Sequence, residues 1–237
     1  MPLGRLYERV EAELSARGGR VERGARAERV AEVDGGVEVG LAGGVVRADG
    51  AVVALPAGRV PGILEGRLRA ALERLEGVEH SAIVGIHLRA DRAVLSGPHA
   101  VLVGCTTQWV FRKDASGRRV HAVISAAPER VLAMSEDALA AMVWADIGAC
   151  IPGARDARPE WWRVIKSPKA TFAATPGFEA VRPAPGPIVE GSRVALAGDY
   201  TRTGWPATME GAARSGQMAA AGLLAGMCVP DGMAGSW

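Results

Sequence analysis

Val194-Ala195-Leu196-Ala197, followed at once by Gly198-Asp199, is the stretch on which the fold class turns. Four apolar residues without alternation predict a strand covered on both faces, as in sheets layered by helices. The loop Tyr200 to Trp205 leads to Pro206, a residue suited to a first helical turn, and the helix is predicted to run roughly from Ala207 to Leu224. Gly211, Gly216 and Gly222 among its many alanines would let such a helix lie very close to a sheet or a ligand. A strand, loop and helix in this order bring Asp199 to the rim of a sheet, where open α/β folds bind ligands. Its carboxylate can accept hydrogen bonds from sugar-type hydroxyls. The helix start offers unpaired N–H groups and partial positive charge to an anionic or electron-rich ring edge. On these residues alone, an ordinary strand-loop-helix with an exposed Asp stands beside the ligand site as an equal alternative.

Upstream, Leu3, Leu6, Val10 and Leu14 recur at helical spacing until Gly18-Gly19. Four short apolar runs follow, 20–22, 28–33, 36–41 and 51–55, separated by turn signals at Asp34-Gly35-Gly36, Gly43-Gly44 and Asp49-Gly50. They predict a small antiparallel meander whose last run, closed by Pro56, is covered on both faces. Leu64, Leu68, Ala71, Leu72 and Leu75 trace a helix face. Strands are expected over 82–88, 120–125 and 161–166, and a helix capped by Ser135 runs towards Gly148, with Glu136 and Asp137 in its first turn. Pro176, Pro183, Pro185 and Pro187 with Gly177 and Gly186 mark a loop or crossover.

Composition narrows the function. The 237 residues carry 28 basic and 26 acidic side chains, a formal charge of +2, which argues against a nucleic-acid binder needing a concentrated basic face. No signal peptide is read at the start. The near-spanning stretch 212–229 is interrupted by Arg214 and Gln217, so no transmembrane segment is expected. Cys105, Cys150 and Cys228 lie far apart, with no zinc spacing or disulfide framework, and are expected to be buried thiols in a reducing compartment. His80, His87, His99 and His121 show no metal-like spacing, so no metal is expected. Ser125 lacks the Gly-x-Ser-x-Gly elbow of a hydrolase. Trp109, Phe111, Trp161, Trp162, Phe172, Phe178 and Trp205 supply most of the bulky rings, either as core filling or as the wall of an apolar pocket.

The run Leu196 to Ala212, with Thr203-Gly204-Trp205-Pro206-Ala207-Thr208-Met209-Glu210-Gly211 at its centre, resembles the C-terminal flavin motif of the FAD-dependent amine oxidase and phytoene desaturase superfamily. Within it the wording is most similar to the hydroxysqualene dehydroxylases. Gln108-Trp109-Val110-Phe111 and Lys169 to Gly177 followed by Arg182-Pro183 agree, so the resemblance extends from about residue 3 to 226. It implies that Gly198 and Asp199 lie at the pyrophosphate and ribityl part of FAD. It implies that Pro206, Ala207, Thr208, Met209 and Glu210 bring a helix start to the flavin pyrimidine ring, with the Met209 backbone in contact. Ala27 falls where the family's chain passes the adenine and usually has valine. Trp205 is placed beside the flavin, and Trp109, Phe172 and Trp205 are the candidate substrate contacts; no acid or base stands out among the side chains.

The resemblance implies a mixed α/β fold: an incomplete Rossmann-like FAD domain with an inserted substrate domain of antiparallel sheet and helices. Residues 1–57 and 191–237 are assigned to the former and 58–190 to the latter. No Gly-x-Gly-x-x-Gly run occurs in the sequence, so the chain is expected to be the C-terminal portion of an enzyme, truncated or split, with a separate N-terminal FAD-binding half as partner. The implied activity is reductive dehydroxylation of hydroxysqualene to squalene on an isoprenoid lipid. A carotenoid-type desaturase and a non-catalytic substrate-binding half are the alternatives. The expected location is the cytoplasm, with peripheral membrane contact allowed.

Overall fold

The structure is a computed structural model and describes residues 4–227; Leu3 of the first helical pattern and Cys228 lie outside the described residues. Among these residues the chain divides into two compact units, one made of the residues up to Gly77 and from Arg182 onward, the other of Val78–Val181. Residues 58–77 thus fall with the first unit, and the second is an insertion into it.

The first unit opens with helix α1 (Gly4–Ala16), which leaves Val10 and Leu14 exposed and ends at Gly18, in the left-handed region with φ 81°. Strands β1 (Ala27–Val33), β2 (Gly36–Leu41) and β3 (Gly44–Ala48) form the antiparallel meander, turning at Asp34-Gly35 and Ala42-Gly43. The run 20–22 is not a strand, whereas 44–48, not anticipated, is one. Strand β4 (Ala51–Val53) leaves the meander for another sheet, and its Val52 is 41% exposed, so it is not covered on both faces. Helix α2 (Gly66–Leu72) buries Leu68 and Leu72 and tightens into a 3-10 turn that buries Leu75.

In the second unit, β5 (His80–Ala90), β6 (His99–Val101), β7 (Trp109–Arg112), β8 (Arg119–Ser125) and β9 (Pro159–Phe172) make one antiparallel sheet in the order β6-β7-β8-β5-β9. After the short helix α3 (Glu129–Leu132), helix α4 (Glu136–Cys150) starts where expected, with the Ser135 hydroxyl accepting the Ala138 N–H at 3.2 Å. Leu139, Val143 and Ile147 of α4 join Val84, Ile86, Val110, Ala122 and Val164 of the sheet in the core. The single period-two pattern of β5, with alternate residues buried, follows from that one-sided cover. Helix α5 (Pro176–Val181) closes the unit.

Back in the first unit, β10 (Gly186–Pro187) pairs antiparallel with β11 (Val194–Leu196), which runs parallel to β4. The proline-rich stretch is therefore not purely a loop, since it holds α5 and β10. Glu32 of β1 anchors the entry to β11. One carboxylate oxygen accepts the Ser192 hydroxyl and the Arg193 N–H, both at 2.9 Å, and the other accepts Arg67 Nε at 2.8 Å. Burial works against its charge, but these three donors hold the Glu32 carboxyl below its ordinary range. Helix α6 (Met209–Gly226) packs Ala219 and Leu223 on Ala195 and Ala197. A Cβ on Gly222 would stand 2.9 Å from Pro187 Cδ, so glycine there is what lets α6 close onto β10. Among the described residues, no helix is long and apolar enough to cross a membrane.

Candidate functional site

The site is built from the turn that ends β11. Gly198 N–H donates to Ser215 Oγ of α6 at 2.8 Å, and the Ser215 hydroxyl donates to Ala212 O at 2.6 Å, tying strand end to helix. Gly198 O accepts both the N–H and the hydroxyl of Thr201, at 3.1 and 2.8 Å. Tyr200 folds back under the turn, 2% exposed, its hydroxyl donating to Ala197 O at 3.3 Å. Burial pushes the Tyr200 phenol up, and the nearby negative charge of Asp199 adds to it. Asp199 itself is half-buried at the strand end, and among the described residues no donor reaches its carboxylate.

Arg182, 6% exposed, holds the loop that follows. Its guanidinium donates to the carbonyls of Tyr200 at 3.1 Å, Thr201 at 2.6 Å, Trp205 at 3.1 Å and Asp199 at 3.4 Å. Arg202 returns the contact, its N–H donating to Pro183 O at 2.8 Å and its guanidinium to Arg182 O at 2.9 Å. The sequence signals Arg182 only as a charge beside a run of prolines, which does not single it out as a site residue. Ser215, inside a helix of small residues, gave none.

The helix begins two residues later than the proline suggested. Thr208 is the N-cap, its hydroxyl accepting the Gly211 N–H at 3.1 Å, so Pro206 lies before the helix and not in its first turn. A Cβ on Gly211 would stand 2.9 Å from Pro206 O, which explains why the 205–208 loop can fold this tightly over the helix start. The first-turn amides of Met209 and Glu210 have no carbonyl behind them in the helix. Trp205 is 41% exposed, with the Arg214 guanidinium 4.9 Å over its ring, and Arg214 Nε donates to Glu210 Oε1 at 2.7 Å. Glu210 is thereby an exposed ion-pair partner. Ala207 is half-buried in the loop. Ala27 begins β1, half-buried opposite Leu41, and no hydrogen bond among the described residues joins it to the 198–210 segment.

In the second unit, the sheet face opposite α4 carries the other candidates. His99, Phe111, His121, His87 and Arg163 lie in one cross-strand row, and Val101, Trp109, Val123, Gly85 and Ile165 in the row two residues along. The intervening row, Val110, Ala122, Ile86 and Val164, faces the core. Trp109 stacks on Phe111 with centroids 5.6 Å apart, and His99 tilts against both. His87 is no lone histidine: it stacks on His121 at 4.2 Å, and a Cβ on Gly85 would stand 2.8 Å from His121 Nε2. Burial, the second imidazole and Lys113 push His121 down to about 4, so the ring is neutral at pH 7. This open face thus carries aromatic and aliphatic side chains around two stacked imidazoles, with the Arg163 side chain closing the first row. Phe172 is elsewhere, buried at the end of β9 against Phe178 at 4.9 Å; the sheet does not bring it to Trp109. Among the described residues no group of three or more His, Cys, Asp or Glu side chains could hold a metal ion.

A parallel β4–β11 pair feeding a capped helix, with an antiparallel-sheet unit inserted, is the fold of the FAD-dependent amine oxidases. Cyclohexylamine oxidase from Brevibacterium oxydans IH-35A shares it with a TM-score of 0.69 and 15% identity, over 92% of this chain and 51% of that one. Residues 1–224 match the family model described as flavin containing amine oxidoreductase, and the chain belongs to that family. Among curated relatives, hydroxysqualene dehydroxylase of Sinorhizobium fredii is 36% identical over 64% of this chain and 36% of its own length. The 15-cis-phytoene desaturase of Synechococcus elongatus is 27% identical over 94% of this chain and 52% of its own length. The chain thus spans about a third to a half of these relatives.

The family implies a flavin, and the residues present fit part of one. An unpartnered, half-buried carboxylate at a strand end suits polyol hydroxyls, and the open amides before Gly211 suit the electron-rich edge of a ring. No glycine-rich turn for a diphosphate is among these residues.

Proposed function

We propose that the chain is the substrate-binding and flavin-ring-binding part of an FAD-dependent oxidoreductase that removes the hydroxyl of hydroxysqualene to give squalene. The likeness to hydroxysqualene dehydroxylase carries the reading. Asp199 would hold the ribityl hydroxyls, the backbone at Gly198 would pass the pyrophosphate, and Met209 N–H at the start of α6 would meet the pyrimidine edge. Arg182 fixes that loop before any cofactor arrives, so little ordering remains to be done on binding. When bound and reduced, FAD supplies the hydride that replaces the departing hydroxyl, which leaves as water once protonated. The open face with Trp109 and Phe111 would contact the isoprenoid chain, its aromatic rings offering apolar surface and a preference for cationic character. Phe172 and Trp205 are further proposed contacts, Trp205 beside the flavin. The Gly-x-Gly-x-x-Gly cradle would come from a segment outside these residues, and the site of action would be the cytoplasm or a membrane surface.

The likeness to phytoene desaturase over nearly the whole chain favours one other reading, in which oxidised flavin takes hydride from a similar lipid. The test is co-expression with a family half carrying the glycine-rich turn, followed by product analysis. Flavin retention and conversion of hydroxysqualene to squalene under a reductant is the expected result. Dehydrogenation of phytoene without action on hydroxysqualene would move the assignment to the desaturases, and oxidation of primary amines would overturn the lipid reading altogether. A flavin-bearing pair that turns over none of these would leave the chain as a binding half.

A further inference from the structure

Cys105 and Cys150, 45 residues apart in sequence, are brought together with their Sγ atoms 3.3 Å apart. This corrects the expectation of isolated, buried thiols: Cys105 is half-buried and Cys150, the last residue of α4, is exposed. The approach is prepared by the fold. Cys105 sits in the segment joining β6 to β7, and two residues on, Thr107 N–H donates to Asp146 Oδ2 of α4 at 2.9 Å, pinning that segment to the helix one turn before Cys150. A disulfide needs the sulfurs to close to about 2.05 Å, a movement within the reach of side-chain rotation. Cys150 also lines a pocket of about 640 Å³ with Ser96, Ala100 and Arg112 in its wall, and Arg112 is the cationic side chain there.

We propose that Cys105 and Cys150 are a redox-active dithiol and that the pocket beside Cys150 admits a small anionic disulfide of the glutathione type. The exposed Cys150, as thiolate, attacks one sulfur of glutathione disulfide; the S–S bond breaks, a Cys150–glutathione mixed disulfide forms and one glutathione thiolate leaves. Cys105 then gives up its proton and attacks Cys150 Sγ, expelling the second glutathione. The dithiol loses two electrons, glutathione disulfide gains them, and the two thiol protons end on two glutathione thiols. Cys105 is the resolving member because it is half-buried behind the exposed Cys150; its hydrogen bond to Cys150, burial and the charge of Asp146 also push its thiol up to about 11.

The test uses the full chain carrying Cys228→Ser, so that only the two cysteines react. Treatment with glutathione disulfide should remove both titratable thiols, lower the intact mass by two hydrogens and leave no glutathione attached. Cys105→Ser should instead stop at one stably attached glutathione on Cys150. Arg112→Gln should slow the reaction several-fold with glutathione disulfide and leave it unchanged with the uncharged hydroxyethyl disulfide. Two titratable thiols surviving in the folded chain, or a mixed disulfide that never resolves with Cys105 present, would overturn the dithiol. Equal slowing with both oxidants would overturn the pocket's part in it.

Discussion

The ring of Tyr200 occupies the space that a side chain at residue 198 would need: a Cβ on Gly198 would stand 2.2 Å from Tyr200 Cε1. The strand can therefore end in a turn that doubles back on itself only if residue 198 is glycine. With Tyr200 buried, the clash has no cheap relief. Gly198→Ala should lower stability by about 1–3 kcal/mol, the usual range for forcing bulk into a packed site, read as a shifted urea midpoint. Tyr200→Phe, which loses only the bond to Ala197 O, should cost about 1 kcal/mol. Equal stability of Gly198→Ala and the parent would mean the turn is not packed as described.

Arg182 is the second support of the same turn. Removing its guanidinium would strip a donor from four carbonyls of the 199–205 loop at once. Arg182→Ala should destabilise by about 3 kcal/mol, since the carbonyls of Asp199, Tyr200 and Trp205 lose the guanidinium as donor while Thr201 O keeps only the Thr203 N–H. Arg182→Lys should recover only part of this, because an ammonium is a compact donor without the planar fork. Denaturant unfolding of the three proteins checks the order; a lysine variant as stable as the parent would show that the fork geometry is unimportant.

Much of this was legible in the sequence because local rules and tertiary demands agree there. Ser135 caps α4 as its position before Glu136-Asp137 required, and the apolar run 194–197 is a buried strand because α6 covers it. The apolar run 82–88 marked β5, although not its full length from His80 to Ala90. What failed was what depends on contacts between distant residues. Pro206 looked like a helix start, but Thr208 can accept the Gly211 N–H and Pro206 cannot, so capping chemistry moved the boundary. The His87–His121 stack and the Cys105–Cys150 approach arise from strand register and helix placement, which no spacing in the chain announces. Arg182 is the clearest case: a charged residue in a proline-rich stretch reads as surface, and only the loop folded around it reveals four waiting acceptors.

The histidine pair gives stability a dependence on acid. His121 is held at about 4 in the folded chain, below the ordinary value of about 6.5 it regains on unfolding. The unfolded chain therefore binds the extra proton first. The contribution is fully present above about pH 6.5 and is lost progressively as pH falls towards 4. His87 is lowered too, by burial and by Lys113 and Arg163, and shifts in the same direction. The melting temperature should fall across this window, and His121→Gln should flatten that part of the profile. Carboxylates act on both proteins alike, so the difference between the two profiles isolates the imidazole. An unchanged difference from pH 7 to 4 would rule out a buried neutral His121.

Asp199 is where the proposed flavin contact can be tested apart from the fold. Its carboxylate has no donor among the described residues, so Asp199→Ala should leave the unfolding free energy from urea titration within about 0.5 kcal/mol of the parent, as for a surface change. In the pair reconstituted with a glycine-rich half, the same substitution would, on the proposed reading, remove a charged acceptor from polyol hydroxyls, an interaction of about 1.5–3 kcal/mol. Flavin should then bind roughly ten- to a hundredfold more weakly, measured by fluorescence titration. Asp199→Asn, which keeps an acceptor but loses the charge, should fall between. Trp205→Leu serves as the contrast, since it removes a ring that Arg214 covers without touching the carboxylate, and it should alter the flavin's absorbance more than its affinity. If Asp199→Ala unfolds the chain, the carboxylate is structural. If it folds normally and binds flavin as tightly as the parent, the ribityl contact lies elsewhere on the turn.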